Sequence, residues 1–317
     1  MSNRSNVLAV IGATGLQGGS VARTALADPQ QRFQVRALTR DPQSAKGKEL
    51  AALGADVVQA DLDNLDSLKK AFAGASAAYC VTNFWEHFSP QKELQQAANL
   101  AEAARHAGIA HIVWSTLEDT RLRVPLDDDR MPTLMGNYKV PHFDAKGEAN
   151  AEFGSRDVPT TYLLTSFYWD NLLQPGMAPA RDADGKLGLT LPMADKTLPG
   201  IAAADIGKCA YGVFCAGSTY IGETVGIAGE HLTGAEMAAT LSEALGETVY
   251  YNAIEPAAYR ALGFPGADDL GNMFQYKADF NREFIAARDI ELARKLNPEL
   301  QTFKDWLAQN AAKIALG

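Results

Sequence analysis

Apolar residues gather in short runs over the first half of the chain, at residues 7–11, 33–39, 55–60, 77–81, 111–115 and 160–166. The runs are short and mostly rich in β-branched or aromatic residues, so they read as strands rather than buried helix segments. Most of the gaps between them carry helical periodicity with recognisable ends. Asn64 precedes a stripe of Leu65, Leu68 and Phe72 that stops at Gly74, and Ser89 precedes Pro90, whose missing N–H is harmless in a first helical turn. Strands alternating with amphipathic helices predict crossover units and a parallel sheet covered on both faces. The expected fold class is therefore α/β, a Rossmann-type doubly wound parallel sheet with a second, smaller α+β domain.

The second half is less regular. Ile206, Cys209, Ala210, Val213 and Phe214 form an apolar stripe at helical spacing. Thr233 and Glu236 have capping-box spacing, Leu232 and Met237 stand where a hydrophobic staple would, and Gly246 is the stop. A β-rich run follows at residues 248–254. These signals divide the chain into a Rossmann-type domain over residues 1–166 and a smaller domain over residues 167–317 lining the cleft, with the helix near 205–216 expected to pack on the first domain. Residues 120–138 contain prolines, mixed charge and no helical period. They read as a mobile lid or as a solvated ordered loop.

The stretch from Val7 to Arg23 places Gly12, Gly15 and Gly18 directly after a strand and at the opening of a helix. That context gives a sharp turn, close backbone approach to a pyrophosphate, and open N–H groups at a helix N-terminus. NAD-preferring sites usually end the second strand with a carboxylate, which accepts the ribose 2′-hydroxyl. Here Thr39 and Arg40 occupy that place, and a guanidinium grips a 2′-phosphate bidentately. NADP(H) is the expected cofactor. Asp41, directly after Arg40, keeps NAD(H) open as the alternative, and Lys46 could add positive charge.

Charge narrows the choice of partners. A formal net charge of −9 over 317 residues argues against direct nucleic-acid binding, which needs clustered Lys and Arg. The longest apolar runs fall well short of the roughly 20 residues that span a bilayer, and the N-terminus does not read as a signal peptide, so a cytoplasmic location is expected. The three cysteines, Cys80, Cys209 and Cys215, read as reduced packing residues. No metal site is expected, and oligomeric state is not legible.

Several segments resemble the NmrA-like proteins, atypical members of the short-chain dehydrogenase/reductase superfamily. They are GATGLQGGSVAR near the N-terminus, VTNFWE from Val81, HFDAKGE from His142, DNLL from Asp170, and LGFPGADDLGNMF from Leu262. The likeness spans nearly the whole chain and is greatest to the redox-sensor subgroup, which implies NADP(H) binding and a regulatory role, with a protein partner. Short-chain reductases work with a Ser, a Tyr and a Lys. The resemblance aligns Ser115 with the serine and Lys146 with the lysine, but His142 stands where the tyrosine belongs. Tyr138 is no substitute by position, since Pro141 starts a new helix after it.

An imidazole can serve as a general acid. His142, Lys146 and Ser115 are accordingly the catalytic candidates if the protein is an enzyme, an NADPH-dependent reductase of a quinone, imine or carbonyl compound. The preferred expectation is a cofactor-sensing regulator, with His142 a capping or packing residue. The cofactor-binding set is Gly12, Thr14, Gly15, Leu16, Gln17, Gly18, Thr39, Arg40, Asp61, Thr82, Asn83, Phe84 and Lys146. The aromatic run Phe167, Tyr168 and Trp169 reads equally as a pocket wall or as core.

Overall fold

The computed structural model of the chain describes residues 6–174 and 176–316. It resolves into two compact units. The first comprises residues up to Asp119, Asp144–Leu164 and Ala204–Val225, and the second comprises Thr120–Phe143, Thr165–Ala203 and the residues from Gly226 onward.

The first unit carries the alternation expected from sequence: β1 (Val7–Ile11), α1 (Leu16–Leu26), β2 (Gln34–Thr39), α2 (Ala45–Ala52), β3 (Asp56–Gln59), α3 (Leu65–Phe72) and β4 (Ala77–Cys80). It continues through α4 (Pro90–Ala107), β5 (His111–Thr116), α5 (Pro141–Gly154) from Asp144 onward, β6 (Thr160–Leu164) and α6 (Ala203–Cys215) from Ala204 onward. The sheet has seven strands, ordered Thr224–Gly226, β6, β5, β4, β1, β2, β3. Neighbours among β1 to β6 pair in parallel. The strand order reverses between β1 and β4, so this is a Rossmann-type doubly wound sheet, whose crevice opens at the carboxyl ends of the strands. The seventh strand was not foreseen, because three residues carry no readable period.

Local chemistry fixes the elements. Asn64 accepts a hydrogen bond from the Ser67 amide at the start of α3. Ser89 does the same for the Lys92 amide at the start of α4, and Gly108 ends that helix in the left-handed region. Every residue of β4 and β5 is buried, as expected of central strands covered on both faces. On one side Leu68, Phe72, Leu100 and Phe153 pack against Ile11, Ala78, Cys80 and Trp114. Helix α6 is tied to α1 by the Ser20 hydroxyl, which donates to the Ala204 carbonyl at 2.5 Å. Cys80 and Cys209 are buried packing residues, and burial pushes both thiols far up; Cys215 is exposed, contrary to expectation, because it is the last residue of α6.

The second unit is α+β, with two three-stranded sheets. One orders Glu230–Thr233, Thr197–Ile201 and Phe167–Tyr168; the other orders Val249–Asn252, Leu187–Thr190 and Ala180–Arg181. The capping box of Thr233 and Glu236 forms as read, and Gly246 closes the helix Gly234–Leu245. Trp169 and Phe167 are core rather than pocket wall. The Trp169 indole lies so close to Gly200 that a Cβ there would stand 2.2 Å from its ring nitrogen, and it packs on Phe303.

The loop at residues 120–138 is tied down at several points. Lys139 donates to the carbonyls of Asp128 (2.6 Å) and Met131 (3.1 Å). Asn272 donates to those of Pro132 (2.9 Å) and Lys139 (2.6 Å), and Gln275 to that of Arg130 (2.7 Å). These bonds describe an ordered loop rather than a loose flap.

Candidate functional site

The glycine turn follows from two local demands. Gly12 has φ +63°, the left-handed region that side chains with a Cβ rarely adopt, and its carbonyl accepts from the Gly15 amide at 2.8 Å. At Gly18 a Cβ would lie 2.3 Å from the Ile11 carbonyl oxygen, so only glycine lets α1 sit this close to β1. Gly15 caps α1 without any side-chain hydrogen bond, and no acidic residue occupies the first turn. The amides of Leu16 and Gln17 therefore stand at a helix N-terminus that attracts an anion, so the turn fits the pyrophosphate of a dinucleotide.

Several other candidates of the first unit follow the carboxyl ends of β2, β3 and β4. Thr14 and Thr39 hydroxyls are 3.4 Å apart. Arg40, directly after β2, holds Glu86 bidentately, Nη1 to Oε2 and Nη2 to Oε1, both at 2.9 Å. Glu86 belongs to the short 3-10 turn Phe84–Glu86, whose cap residue is Asn83 and whose Phe84 is buried. Asp61, after β3, is exposed and accepts from the Asp63 amide. The acidic neighbour of Arg40, Asp41, accepts from the Gln43 amide at 2.9 Å.

Lys146 and Ser115 are both committed inside the protein. The Lys146 ammonium donates to the Thr82 carbonyl (3.0 Å), the Thr82 hydroxyl (2.7 Å) and Glu93 Oε1 (2.6 Å). Those three acceptors match its three hydrogens. The Thr82 hydroxyl in turn donates to Glu93. Ser115 Oγ donates to Gln17 Oε1 at 2.8 Å, and the Tyr79 hydroxyl donates to the same oxygen at 2.6 Å. Gln17 thus clamps the serine to α1.

Glu93 was not among the candidates, although its side chain is fully buried. In the sequence it looks like an ordinary acidic residue in the first turn of a helix, placed for the dipole. Its second oxygen faces His87 Nε2 at 3.6 Å, too far for a hydrogen bond, and neither atom has a hydrogen-bond partner among the described residues. The His87 Nδ1 accepts from the Ser89 amide at 3.1 Å, so the neutral ring carries its hydrogen on Nε2, pointing toward Glu93.

His142 lies in the second unit, at the start of α5. Its Nδ1 is 2.6 Å from Asp269 Oδ1, and its amide donates to Asp269 Oδ2 at 3.2 Å. Both side chains are buried. A carboxylate on Nδ1 fixes the ring's orientation, an arrangement used both by general-base histidines and by structural ones. Among the described residues no cluster of His, Cys, Asp and Glu is suited to a metal ion. No helix of the described residues is long and apolar enough to cross a membrane.

The architecture is that of a Rossmann-type, atypical short-chain dehydrogenase/reductase. The chain belongs to the NmrA-like family, whose model matches residues 4–307. It is 28% identical over 308 residues to the NmrA-like family domain-containing oxidoreductase FrzB of Cladobotryum sp, covering 90% of this chain and 88% of that one. Its fold is shared with NmrA, a negative transcriptional regulator solved in complex with NADP (TM-score 0.77, 22% identity, 97% and 96% of the two chains). The same regulator in complex with NAD gives a TM-score of 0.79 at 22% identity, over the same shares. The NADPH-dependent quinone oxidoreductase QOR2 of Escherichia coli, solved with NADPH, gives 0.72 at 22% identity, covering 96% and 99%.

Proposed function

We propose that this protein is a cofactor-sensing regulator that binds NADP(H), in preference to NAD(H), without the catalysis of classical short-chain reductases. The glycine turn would hold the pyrophosphate, Arg40 the 2′-phosphate, and Thr82, Asn83 and Phe84 the edge of the site after β4. The carrying observation is the state of the would-be catalytic groups. All three hydrogens of Lys146 go to Thr82 and Glu93, and Ser115 is bound to Gln17; the family resemblance, for its part, sets His142 where the tyrosine belongs. A lysine so engaged must surrender a buried charge-assisted bond before it can hold a ribose or lower a neighbour's pKa. The existence of both NAD and NADP complexes of the NmrA regulator agrees with a fold that binds either dinucleotide.

The second reading is an NADPH-dependent reductase of a quinone, imine or carbonyl compound. It is favoured by the buried His142–Asp269 pair, which would orient the imidazole as a proton donor, and by the oxidoreductase names of relatives such as FrzB. When bound, the cofactor would supply a hydride to the electrophile. The two readings separate on one experiment, NADPH consumption measured across a panel of quinones, imines and aldehydes alongside calorimetric NADPH binding. Tight binding without steady consumption is the expected result. Steady consumption that Lys146→Ala abolishes and His142→Phe alters would establish the reductase instead.

A further inference from the structure

The ion pair between Arg40 and Glu86 bears directly on cofactor choice. A bidentate carboxylate occupies the terminal fork of the guanidinium, the same N–H groups with which arginine grips a phosphate. The pair also bridges an informative gap. Arg40 follows β2, the Glu86 turn follows β4, and β1 lies between those two strands in the sheet. The bridge therefore passes the carboxyl end of β1, where the glycine turn begins. The carboxylate seated on Arg40 is that of Glu86 and not that of its neighbour Asp41, whose Oδ1 accepts from the Gln43 amide.

We infer that Glu86 is the specificity-determining carboxylate of this site. It sits on Arg40 until a 2′-phosphate displaces it, and it accepts the free 2′-hydroxyl when the ligand is NAD(H). NAD-type Rossmann sites place that acid at the end of the second strand; here it arrives from the turn after the fourth. This inference rests on the reading of Arg40 as the 2′-phosphate ligand.

Two features make the exchange feasible. Both side chains are substantially exposed, at 71% for Arg40 and 46% for Glu86, and exposed pairs of this kind are weak. The turn that carries Glu86 leads into Phe88, a non-glycine residue at φ +52°, so the segment is held by its contacts rather than by its backbone preference. Phe84 anchors it by burial, with Trp85 and Phe88 packed edge-on against its ring. Displacement of Glu86 removes one of these holds, so a 2′-phosphorylated ligand releases the turn while a 2′-hydroxyl ligand leaves it latched. The discrimination thereby becomes a conformational signal at Trp85, whose side is partly exposed.

The test is calorimetry of NADPH and NADH on the native protein, Glu86→Gln, Arg40→Ala and the double variant. Glu86→Gln should tighten NADPH by roughly threefold to tenfold, leave NADH equal or weaker, and lose its effect on NADPH when Arg40 is alanine. A second readout is Trp85 emission with adenosine 2′,5′-bisphosphate, which lacks the nicotinamide that would quench it. That probe should shift the emission, and 5′-ADP should not. An NADPH to NADH ratio that ignores Glu86→Gln, while Arg40→Ala still weakens NADPH, overturns the role of Glu86 alone. An Arg40→Ala variant that binds NADPH normally overturns the NADP(H) reading and this inference together.

Discussion

At the scale of single residues, Glu93 and Lys146 form a buried ion pair. Two charges taken from water are tolerable only because Thr82 supplies further hydrogen bonds to both. Removing one partner strands the other, so Glu93→Leu or Lys146→Met should each cost about 3–5 kcal/mol in urea denaturation. The double variant should cost less than the sum, since it buries no lone charge. Equal and additive losses would show that the pair is not coupled. The sequence exposed Lys146 through its place in a family motif but hid Glu93, because burial of a first-turn glutamate depends on what packs over it.

At the scale of elements, the opening of α1 separates two uses of glycine that the spacing alone does not distinguish. Gly18 answers to packing, since its Cβ would overlap the Ile11 and Gly12 carbonyl oxygens, whereas a Cβ on Gly15 meets only the Gly12 oxygen, at 3.2 Å. Gly15 also has φ −90°, open to any residue. Gly18→Ala should therefore destabilise the fold whether or not ligand is present. Gly15→Val should melt close to the native protein yet lose dinucleotide binding, because its side chain would intrude where the pyrophosphate approaches. Thermal melts with and without NADPH check both outcomes, and a folded Gly15→Val protein with native affinity would reduce the motif to a packing device. The caps at Asn64, Ser89 and Thr233 were legible for a related reason: each is satisfied within one turn of chain.

At the scale of the whole molecule, His111 links stability to pH. The Thr161 hydroxyl donates to the Tyr220 carbonyl, so it must accept from His111 Nε2, which carries a hydrogen. Burial lowers its pKa from the ordinary 6.5 to about 4. Between those values the unfolded chain binds a proton that the folded chain refuses, so stability rises with pH across that window. It is fully present above pH 6.5 and falls as pH drops toward 4. Melting temperatures of the native protein should decline over this interval more steeply than those of His111→Gln, and parallel declines would exclude His111 as the cause.

By itself the sequence determined the alternation of β1 to β6 with helices, the glycine turn, the caps and the arginine at the end of β2. These are set by periods and contacts within a few residues, and the composition of each segment suffices to specify them. It also exposed the family. Tertiary structure alone decided what each polar candidate touches. Arg40 meets Glu86 across 46 positions of chain, Ser115 meets Gln17 across 98, and His142 meets Asp269 across 127. Such pairings depend on which strands become neighbours and how deeply a carboxylate is buried, quantities that no local pattern carries. For the same reason the aromatic run at Phe167 could be read either as pocket or as core until Gly200 was seen to make room for Trp169.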